Sequence, residues 1–283
     1  IAGIINCTTN FILSEMRDQG LPFDSVLKEA QRLGYAEADP TFDVEGIDAA
    51  HKLSIMSAIA FGSAMNFAQA HIEGISQLEA VDIKYAERLG YRIKLLGITK
   101  RTAEGVELRV HPTLIPARRL IANVEGAMNA VLVKGDAVGA TLYYGKGAGA
   151  EPTASAVIAD LVDVTRMHTA DPEHRVPHLA FQPGAMVELP ILPIAEVTTS
   201  YYLRLRVEDR AGVLADVARL LADNGISIDA MIQREPNEGE EQTDIIMLTH
   251  QTRERHIDQA IAGIEALPAV KGSIIRLRLE ELL

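Results

Sequence analysis

The chain has 283 residues, a length that corresponds to about two domains with at least one sizeable core. Hydrophobic residues make up 48% of it and charged residues 23%, a composition that excludes a disordered chain. Its 27 basic residues are outnumbered by 39 acidic ones, giving a net charge of −12. This balance disfavours nucleic acid as a partner, because a phosphate-binding face needs clustered lysine and arginine.

Cys7 is the one cysteine, so an internal disulfide is excluded and a reducing compartment, the cytoplasm, is the predicted location. The longest uncharged stretch, residues 53–70, contains five polar side chains and falls short of a membrane span. The chain opens with Ile-Ala-Gly-Ile-Ile-Asn, which lacks an initiator methionine and has the character of a strand. We therefore expect a fragment of a longer protein that does not associate with membranes.

Apolar periodicity predicts three helices in the first part of the chain. The first ends at Gly20 and the second at Gly34, since glycine is typical of helix C-terminal caps. The third runs from about Gly46 to Phe61, and its residues are almost all apolar or small, which is typical of a buried helix. The sequence then predicts helices at 80–89 and 153–164 and strands at 107–115, 130–134 and 140–144.

Residues 166–198 hold five of the twelve prolines and show little periodicity, which predicts a linker. The elements predicted beyond it are strand 201–207, helix 212–223, strand 226–234, strand 243–250, helix 254–267 and strand 270–279. That βαββαβ order is the split ferredoxin-like arrangement. We predict an α+β fold, with a mixed sheet and helices in residues 1–165, a linker at 166–198 and a ferredoxin-like domain at 199–283.

Five carboxylates crowd the segment 34–52, ahead of one lysine on the third predicted helix. Asp48 and Lys52 are four residues apart and share a helical face, a spacing that by itself favours a surface ion pair. Together with His51 they are the titratable residues of this otherwise apolar helix. We expect a lysine in such a helix to be buried, and a buried lysine beside a carboxylate is a candidate general acid or base.

Three stretches of the chain resemble the catalytic domain of the homoserine dehydrogenase family, in order and in spacing. They are Asn6-Cys7-Thr8-Thr9-Asn10-Phe11-Ile12-Leu13, then Gly34-Tyr35-Ala36-Glu37-Ala38-Asp39-Pro40 followed by Asp43, Gly46-Ile47-Asp48 and Lys52, and the glycine-rich run from Tyr144 to Ser155. The resemblance covers residues 1 to about 165. It departs from the family at Cys7, where glycine is usual.

The resemblance implies an enzyme that interconverts homoserine and aspartate semialdehyde with NAD or NADP. It implies that Glu37 and Asp48 hold the amino and hydroxyl groups of the substrate and that Asp43 helps to bind the amine. By the same carry-over, Lys52 is the proton donor and Thr8 lines the substrate pocket. These residue types suit the chemistry, since carboxylates bind an ammonium group and an ammonium group can protonate a developing alkoxide.

Gly147 and Gly149 invite a phosphate-loop interpretation, which fails because no GKS or GKT follows. The composition leaves two alternatives, a tight strand-to-helix connection with glycines at positive φ or a ligand contact. The resemblance implies approach to the nicotinamide end of the cofactor, with Gly149 the better candidate. The family's N-terminal Rossmann domain has no counterpart here, so we expect NADP or NAD to be bound mainly by a domain that this chain lacks, and the chain alone to be inactive.

The stretch Val207-Glu-Asp-Arg-Ala-Gly-Val-Leu214, followed by Asn224-Gly-Ile-Ser-Ile228, resembles an ACT domain. In many enzymes of amino-acid metabolism this module binds an effector between paired copies, and the resemblance implies threonine as the effector and a homodimer or homotetramer. An ordinary capped helix N-terminus near residue 209 is the alternative. The implied effector contacts are Asp209, Gly212, Val213, Leu214, Asn224 and Ile226.

Two other functions remain open from the sequence. One is a non-catalytic amino-acid sensor in which both domains serve binding and assembly; the Glu37, Asp48 and Lys52 constellation disfavours it, since a sensor needs no proton donor. The other is a different dehydrogenase with an ACT domain, of the phosphoglycerate dehydrogenase type, whose histidine–carboxylate pair has no counterpart in this sequence. No HExxH motif is present, and we predict no metal site.

Overall fold

The computed structural model describes residues 1–168, 177, 180–233 and 241–282. The main chain forms two compact units that interleave along the sequence. The first unit comprises residues 1–78, 95–111 and 123–192, and the second comprises residues 79–94, 112–122 and 193–283. The predicted domain bounds remain a prediction, and part of the predicted linker, residues 169–176 and 178–179, lies outside the described residues.

The helices and strands alternate in a mixed α+β order, as predicted. The helices are α1 (Cys7–Gln19), α2 (Phe23–Arg32), α3 (Thr41–Val44), α4 (Ile47–Phe61), α5 (Ala80–Arg88), α6 (Ala150–His168), α7 (Val213–Asp223) and α8 (Glu254–Glu265). The strands are β1 (Ala2–Ile4), β2 (His71–Ile72), β3 (Tyr91–Arg101), β4 (Val106–Pro116), β5 (Met128–Gly135), β6 (Gly139–Lys146), β7 (Thr198–Glu208), β8 (Ile228–Gln233), β9 (Gln242–Thr249), β10 (Thr252–Arg253) and β11 (Val270–Leu279).

Strand β3 is the principal element that the sequence prediction missed. Residues 93–99 of this strand are buried without a break, including Lys94, which is 1% exposed. Burial on both faces removes the alternation of apolar and polar residues that marks a half-buried strand. Gly97 in its interior further weakens the strand signal.

In the first unit the sheet has the order β6-β5-β1-β3-β4, and the short β2 adds to β4 in parallel. The central β1 pairs antiparallel with both neighbours, so that Gly3 lies opposite Gly97 on one side and Val131 on the other. A Cβ at Gly97 would lie 3.0 Å from Cδ1 of Ile5 and 3.4 Å from Cδ1 of Leu53 on α4. The missing side chain therefore makes room chiefly for Ile5, with Leu53 of α4 next to it.

Helix α4 packs on the sheet by one face. Leu53 is fully buried, and the Ser57 hydroxyl lies 2.9 Å from the hydroxyl of Thr99 on β3. On the other face, Ile55 and Ile59 remain 46% and 43% exposed. The prediction of a buried helix therefore holds for one face only, and the other face of α4 is open and apolar.

In the second unit the sheet order is β4-β11-β7-β9-β8, where β4 contributes its Pro112–Pro116 end. β7 runs antiparallel to both β11 and β9, and β8 runs antiparallel to β9. Helices α7 and α8 cover one face of this sheet. The βαββαβ prediction is confirmed. The core between helices and strands includes Leu203, Leu205, Val213, Val217, Leu221, Ile226, Ile245, Met247, Ile257, Ala260 and Ile264.

The opposite face of β7 makes a buried polar contact with α5. Tyr202 and Arg204 point to this face because successive side chains of a strand alternate between its two faces. Both the Nε and an Nη of Arg204 donate to Asp82, at 2.6 and 3.0 Å, and the Tyr202 hydroxyl donates to the same carboxylate at 2.8 Å. Asp82 is fully buried. Burial, reinforced by the Asp82 charge, raises the pKa of Tyr202, so this phenol stays a neutral donor.

We predict that Asp82→Ala lowers the free energy of unfolding by about 3–5 kcal/mol, because it leaves the Arg204 guanidinium in a site built for an ion pair. Urea unfolding followed by circular dichroism measures this loss. Glu79→Ala is the matched control: Glu79 also contacts Arg204, at 3.1 Å, but its side chain is 59% exposed. That control should cost at most about 1 kcal/mol, and equal losses in the two variants would contradict the prediction.

Candidate active site

Lys52 is held at the surface of α4 by two hydrogen bonds. Its Nζ donates to Oδ2 of Asp48 at 2.6 Å and to the carbonyl oxygen of Ile5 at 3.1 Å. The Lys52 side chain is 50% exposed and that of Asp48 22% exposed, so the predicted burial of this lysine is wrong. The hydrogen bond to Ile5, the residue directly after β1, distinguishes the Asp48–Lys52 pair from an isolated surface ion pair.

Gly46 fixes where α4 begins. It is the N-cap residue, with φ of +79°, a backbone conformation that glycine adopts without strain. A Cβ at this position would also lie 3.1 Å from Cγ1 of Val110 on β4. The tight start places Asp48 in the first helical turn, where the helix dipole favours a carboxylate.

Asn6 joins the two aspartates of the site. Its Nδ2 donates to Oδ1 of Asp43 at 2.7 Å and to Oδ2 of Asp48 at 3.0 Å. Its Oδ1 accepts from the backbone N–H of Thr9 at 2.9 Å and so caps α1. The sequence analysis assigned no role to Asn6; an asparagine before a predicted helix indicates a cap, and nothing local in the sequence indicates the bridge.

Thr8 lies between Asp43 and the loop after α2. Its hydroxyl is 2.7 Å from the carbonyl oxygen of Tyr35 and 3.3 Å from Oδ2 of Asp43. A hydroxyl has one proton, and the shorter distance assigns it to the Tyr35 carbonyl. Oδ2 of Asp43 thus keeps acceptor capacity for another donor.

Glu37 lies outside this cluster. Its side chain is exposed, and the carboxylate has no hydrogen bond or ion pair to any described residue. Its backbone carbonyl accepts from Nε2 of Gln31 at 3.0 Å, which ties down the main chain of the loop. The structure therefore brings together Thr8, Asp43, Asp48 and Lys52 of the predicted substrate and catalytic residues, and shows no hydrogen bond or ion pair between them and Glu37.

His51 packs in an aromatic stack beside the cluster. Its ring lies parallel to that of Phe67, with centroids 3.8 Å apart, and 5.8 Å from the ring of Phe42. Phe42 is 52% exposed. The stack joins α4 to α3 and to the segment that follows α4.

Different constraints require glycine at positions 147 and 149 of the glycine-rich run. Gly149 has φ of +120° at the start of α6, and a Cβ there would meet only Pro152, at 3.4 Å. Gly147 does not have a positive φ; a Cβ on it would overlap Nδ2 of Asn129 on β5. The positive-φ alternative is therefore right for Gly149 and wrong for Gly147, which is required by the close approach of Asn129.

The predicted effector residues divide into exposed and core positions. Asp209 and Gly212 are exposed, and Gly212 caps α7 with φ of +95°. Val213 and Ile226 are each 4% exposed and belong to the core of the second unit. Their side chains are thus committed to packing, and an effector would reach them through their backbone.

The other two predicted effector residues, Leu214 and Asn224, are half-buried, and Nδ2 of Asn224 donates to the carbonyl oxygen of Leu220 at 2.8 Å. An open polar cleft of about 620 Å³ lies in the same unit. Asp209 is the one predicted effector residue in its lining, which consists of Glu208, Asp209, Glu241, Gln242 and Lys271.

Two further sequence predictions concern metals and membranes. Within the described part of the chain, no three His, Cys, Asp or Glu side chains are grouped as a metal site requires. No described helix combines the length and apolarity needed to cross a membrane.

Comparison with known proteins gives matches along the whole chain. Residues 1–162 match the homoserine dehydrogenase family model, and residues 201–269 match the ACT domain model. A homoserine dehydrogenase of Pseudomonas aeruginosa and one of Neisseria gonorrhoeae are each 60% identical, over 100% of this chain and 65% of theirs. The chain thus spans about 65% of the length of these curated relatives.

Solved structures agree. The crystal structure of a homoserine dehydrogenase from Thiobacillus denitrificans is 71% identical, with a TM-score of 0.94 over 99% of this chain and 64% of that one. A homoserine dehydrogenase of S. aureus at pH 7.5 is 30% identical, with a TM-score of 0.73 over 99% of this chain and 64% of its own. Since the first family model covers more than half of the residues, this chain belongs to the homoserine dehydrogenase family and carries an ACT domain at its C-terminal end.

Proposed function

We propose that this chain is the substrate-binding and regulatory part of a cytoplasmic NADP- or NAD-dependent homoserine dehydrogenase. The enzyme interconverts L-homoserine and L-aspartate 4-semialdehyde in threonine and methionine biosynthesis. The observation that carries the proposal is the cluster of Asp43, Asp48 and Lys52 in a chain of this family. The sensor hypothesis is not favoured, because an amino-acid sensor needs no ammonium group held beside its binding carboxylates.

The charges of the cluster suit an amino-acid substrate. Two carboxylates face one ammonium group, which leaves a net negative charge for the substrate's amine. Asp43 offers its Oδ2 to that amine, while Asp48 binds the substrate hydroxyl next to Lys52. Glu37, exposed and without a partner among the described residues, supplies a further carboxylate for the amine.

Lys52 supplies the proton in the reductive direction. A hydride added to the aldehyde carbon creates an alkoxide, and the Lys52 ammonium stabilises that charge and protonates the oxygen to give homoserine. Asp48 holds Lys52 in place. The Lys52 side chain is half exposed, so water can return a proton to it. In the reverse direction the neutral amine takes the hydroxyl proton.

The hydride is supplied and accepted by the nicotinamide cofactor. Gly149 fits a close approach of such a ring, since a Cβ there would meet only Pro152, at 3.4 Å, whereas the equivalent space at Gly147 is filled by Asn129. We propose that Gly149 contacts the cofactor directly and that Gly147 shapes the loop. Both glycines precede α6 in the same connection.

The greater part of the cofactor site, in this proposal, lies in the portion of the relatives that this chain does not span. Helix α6 supports a contact with further chain, because it has an open apolar face. Val157, Ile158 and Leu161 on that face are 53%, 58% and 56% exposed. Exposed apolar surface of this kind marks an interaction site.

Regulation is assigned to the C-terminal unit. We propose threonine as the effector, in a homodimer or homotetramer that pairs these units. Gly212 leaves the N-terminus of α7 open, and the backbone N–H groups of a helix N-terminus suit the carboxylate of an amino acid. Asp209, exposed in the polar cleft, suits its ammonium group.

We predict that Lys52→Ala, made in the longer enzyme, lowers kcat by about 10² to 10⁴ because the proton donor is lost. Lys52→Arg should fall to a similar level, since a guanidinium keeps the charge and the pair with Asp48 but does not release its proton near neutrality. Steady-state assays with homoserine and NADP measure both. Lys28→Ala, at an exposed lysine of α2, is the control and should match the parent; unaltered turnover in Lys52→Ala would favour the sensor.

The 283-residue chain by itself should bind threonine without reducing NADP in the presence of homoserine. Isothermal titration calorimetry measures the first property and absorbance at the nicotinamide band the second. Homoserine-dependent reduction by the isolated chain would overturn the assignment of the cofactor site to the remaining part of the protein. Absence of threonine binding by the chain would overturn the choice of effector.

Gly147→Ala should lower activity in the longer enzyme by displacing the loop, because its new methyl group would collide with Asn129. Gly145→Ala is the matched control two residues away, where a Cβ meets nothing within 4 Å. The KM for NADP of the Gly145→Ala enzyme should be near that of the parent, whereas the KM for NADP of the Gly147→Ala enzyme should be raised. Equal KM values in the two variants would show that the Asn129 contact does not shape the loop.

A further inference from the structure

The Asn6 side chain is hydrogen-bonded at both ends of its amide group and is nearly inaccessible, at 4% exposure. The oxygen faces the N-terminus of α1 and the nitrogen faces the two aspartates. These partners fix which way the amide points. The Thr9 N–H needs an acceptor and the carboxylates need a donor, so the reversed amide would lose every one of these hydrogen bonds.

The two aspartates need such a donor because they share one cation. Lys52 contacts Oδ2 of Asp48, the same oxygen that accepts from Asn6. Asp43 has no ion pair to a described residue. Neighbouring carboxylates repel each other, and a neutral N–H₂ group between them offsets that repulsion without adding a charge that would compete with the substrate's amine.

The main chain next to Asn6 also binds Lys52. Its ammonium donates to the carbonyl oxygen of Ile5, the residue directly before Asn6. The end of β1 therefore positions one lysine through its backbone and two carboxylates through one side chain. Such an arrangement sets the relative placement of the groups that bind and protonate the substrate.

We infer that Asn6 is a positioning residue for homoserine binding. Its Nδ2 holds Asp43 and Asp48 in one orientation towards the ammonium group and hydroxyl of the substrate. This inference rests on the proposed function. It goes beyond helix capping, because the cap uses Oδ1 and the positioning uses Nδ2. Variants that keep an acceptor and remove the donor separate the two roles.

Asn6→Ser and Asn6→Asp both keep a cap acceptor, since serine and aspartate cap helices about as well as asparagine. Both lose the N–H₂ group that reaches the two carboxylates: aspartate offers no donor, and serine only one hydroxyl proton on a shorter side chain. In the longer enzyme both should raise the KM for homoserine by about tenfold or more, with the KM for NADP near that of the parent. The melting temperature of Asn6→Ser should stay close to the parent value, whereas that of Asn6→Asp should fall because it adds a third carboxylate beside Asp43 and Asp48. Asn6→Ala, which loses cap and donor together, should show the same rise and a lower melting temperature.

Parent-like homoserine KM values in the serine and aspartate variants would overturn the inference, and so would an equal rise in both KM values, which marks a general structural defect. A parent enzyme that does not oxidise homoserine would refute the proposed function instead. The Asn6 side-chain amide signal in the ¹⁵N spectrum of this chain then tests the bridge by itself. It should move in the Asp43→Asn and Asp48→Asn variants, and a signal indifferent to both would overturn the assignment.

Discussion

The packing of α4 on β3 is the constraint on which the site depends. Leu53 of α4 packs next to Gly97 of β3, and Gly46 lets the helix begin against Val110, so the position of α4 along the sheet is set at two points. Asp48 and Lys52 project from this helix towards the end of β1. Their hydrogen bonds span 2.6 to 3.1 Å, and a shift of the helix by about 1 Å would break them.

The polar cluster combines groups of two kinds. Asp43, Asp48 and Lys52 carry the charges to which we assign substrate binding and protonation, and Asn6 and the Ile5 carbonyl are neutral groups that hold them. Because the neutral groups lie next to each other in the chain, one short turn orders charges that come from separate helices. The side chain of Lys52 is half exposed, which suits the proton exchange with solvent that its proposed role requires.

Sequence patterns predicted the α+β fold and the C-terminal βαββαβ order, because alternation in the strands and 3.6-residue periodicity in the helices are local properties. They missed β3, where Lys94 is buried by tertiary packing that the local pattern does not show. Spacing on α4 identified Asp48 and Lys52 but placed the lysine in the interior, since composition cannot show which face of a helix packs. Asn6 was missed because its partner Asp43 lies 37 residues away.

The contact of α5 with β7 bears on how such a protein can be divided or recombined. Asp82 falls within the stretch that matches the homoserine dehydrogenase family model, whereas Tyr202 and Arg204 fall within the stretch that matches the ACT domain. A regulatory module exchanged between relatives by cutting after residue 165 would carry away both partners of a fully buried carboxylate. A transplanted ACT domain therefore needs a tyrosine and an arginine at the matching positions of its first strand. The alternative is to move α5 together with the domain.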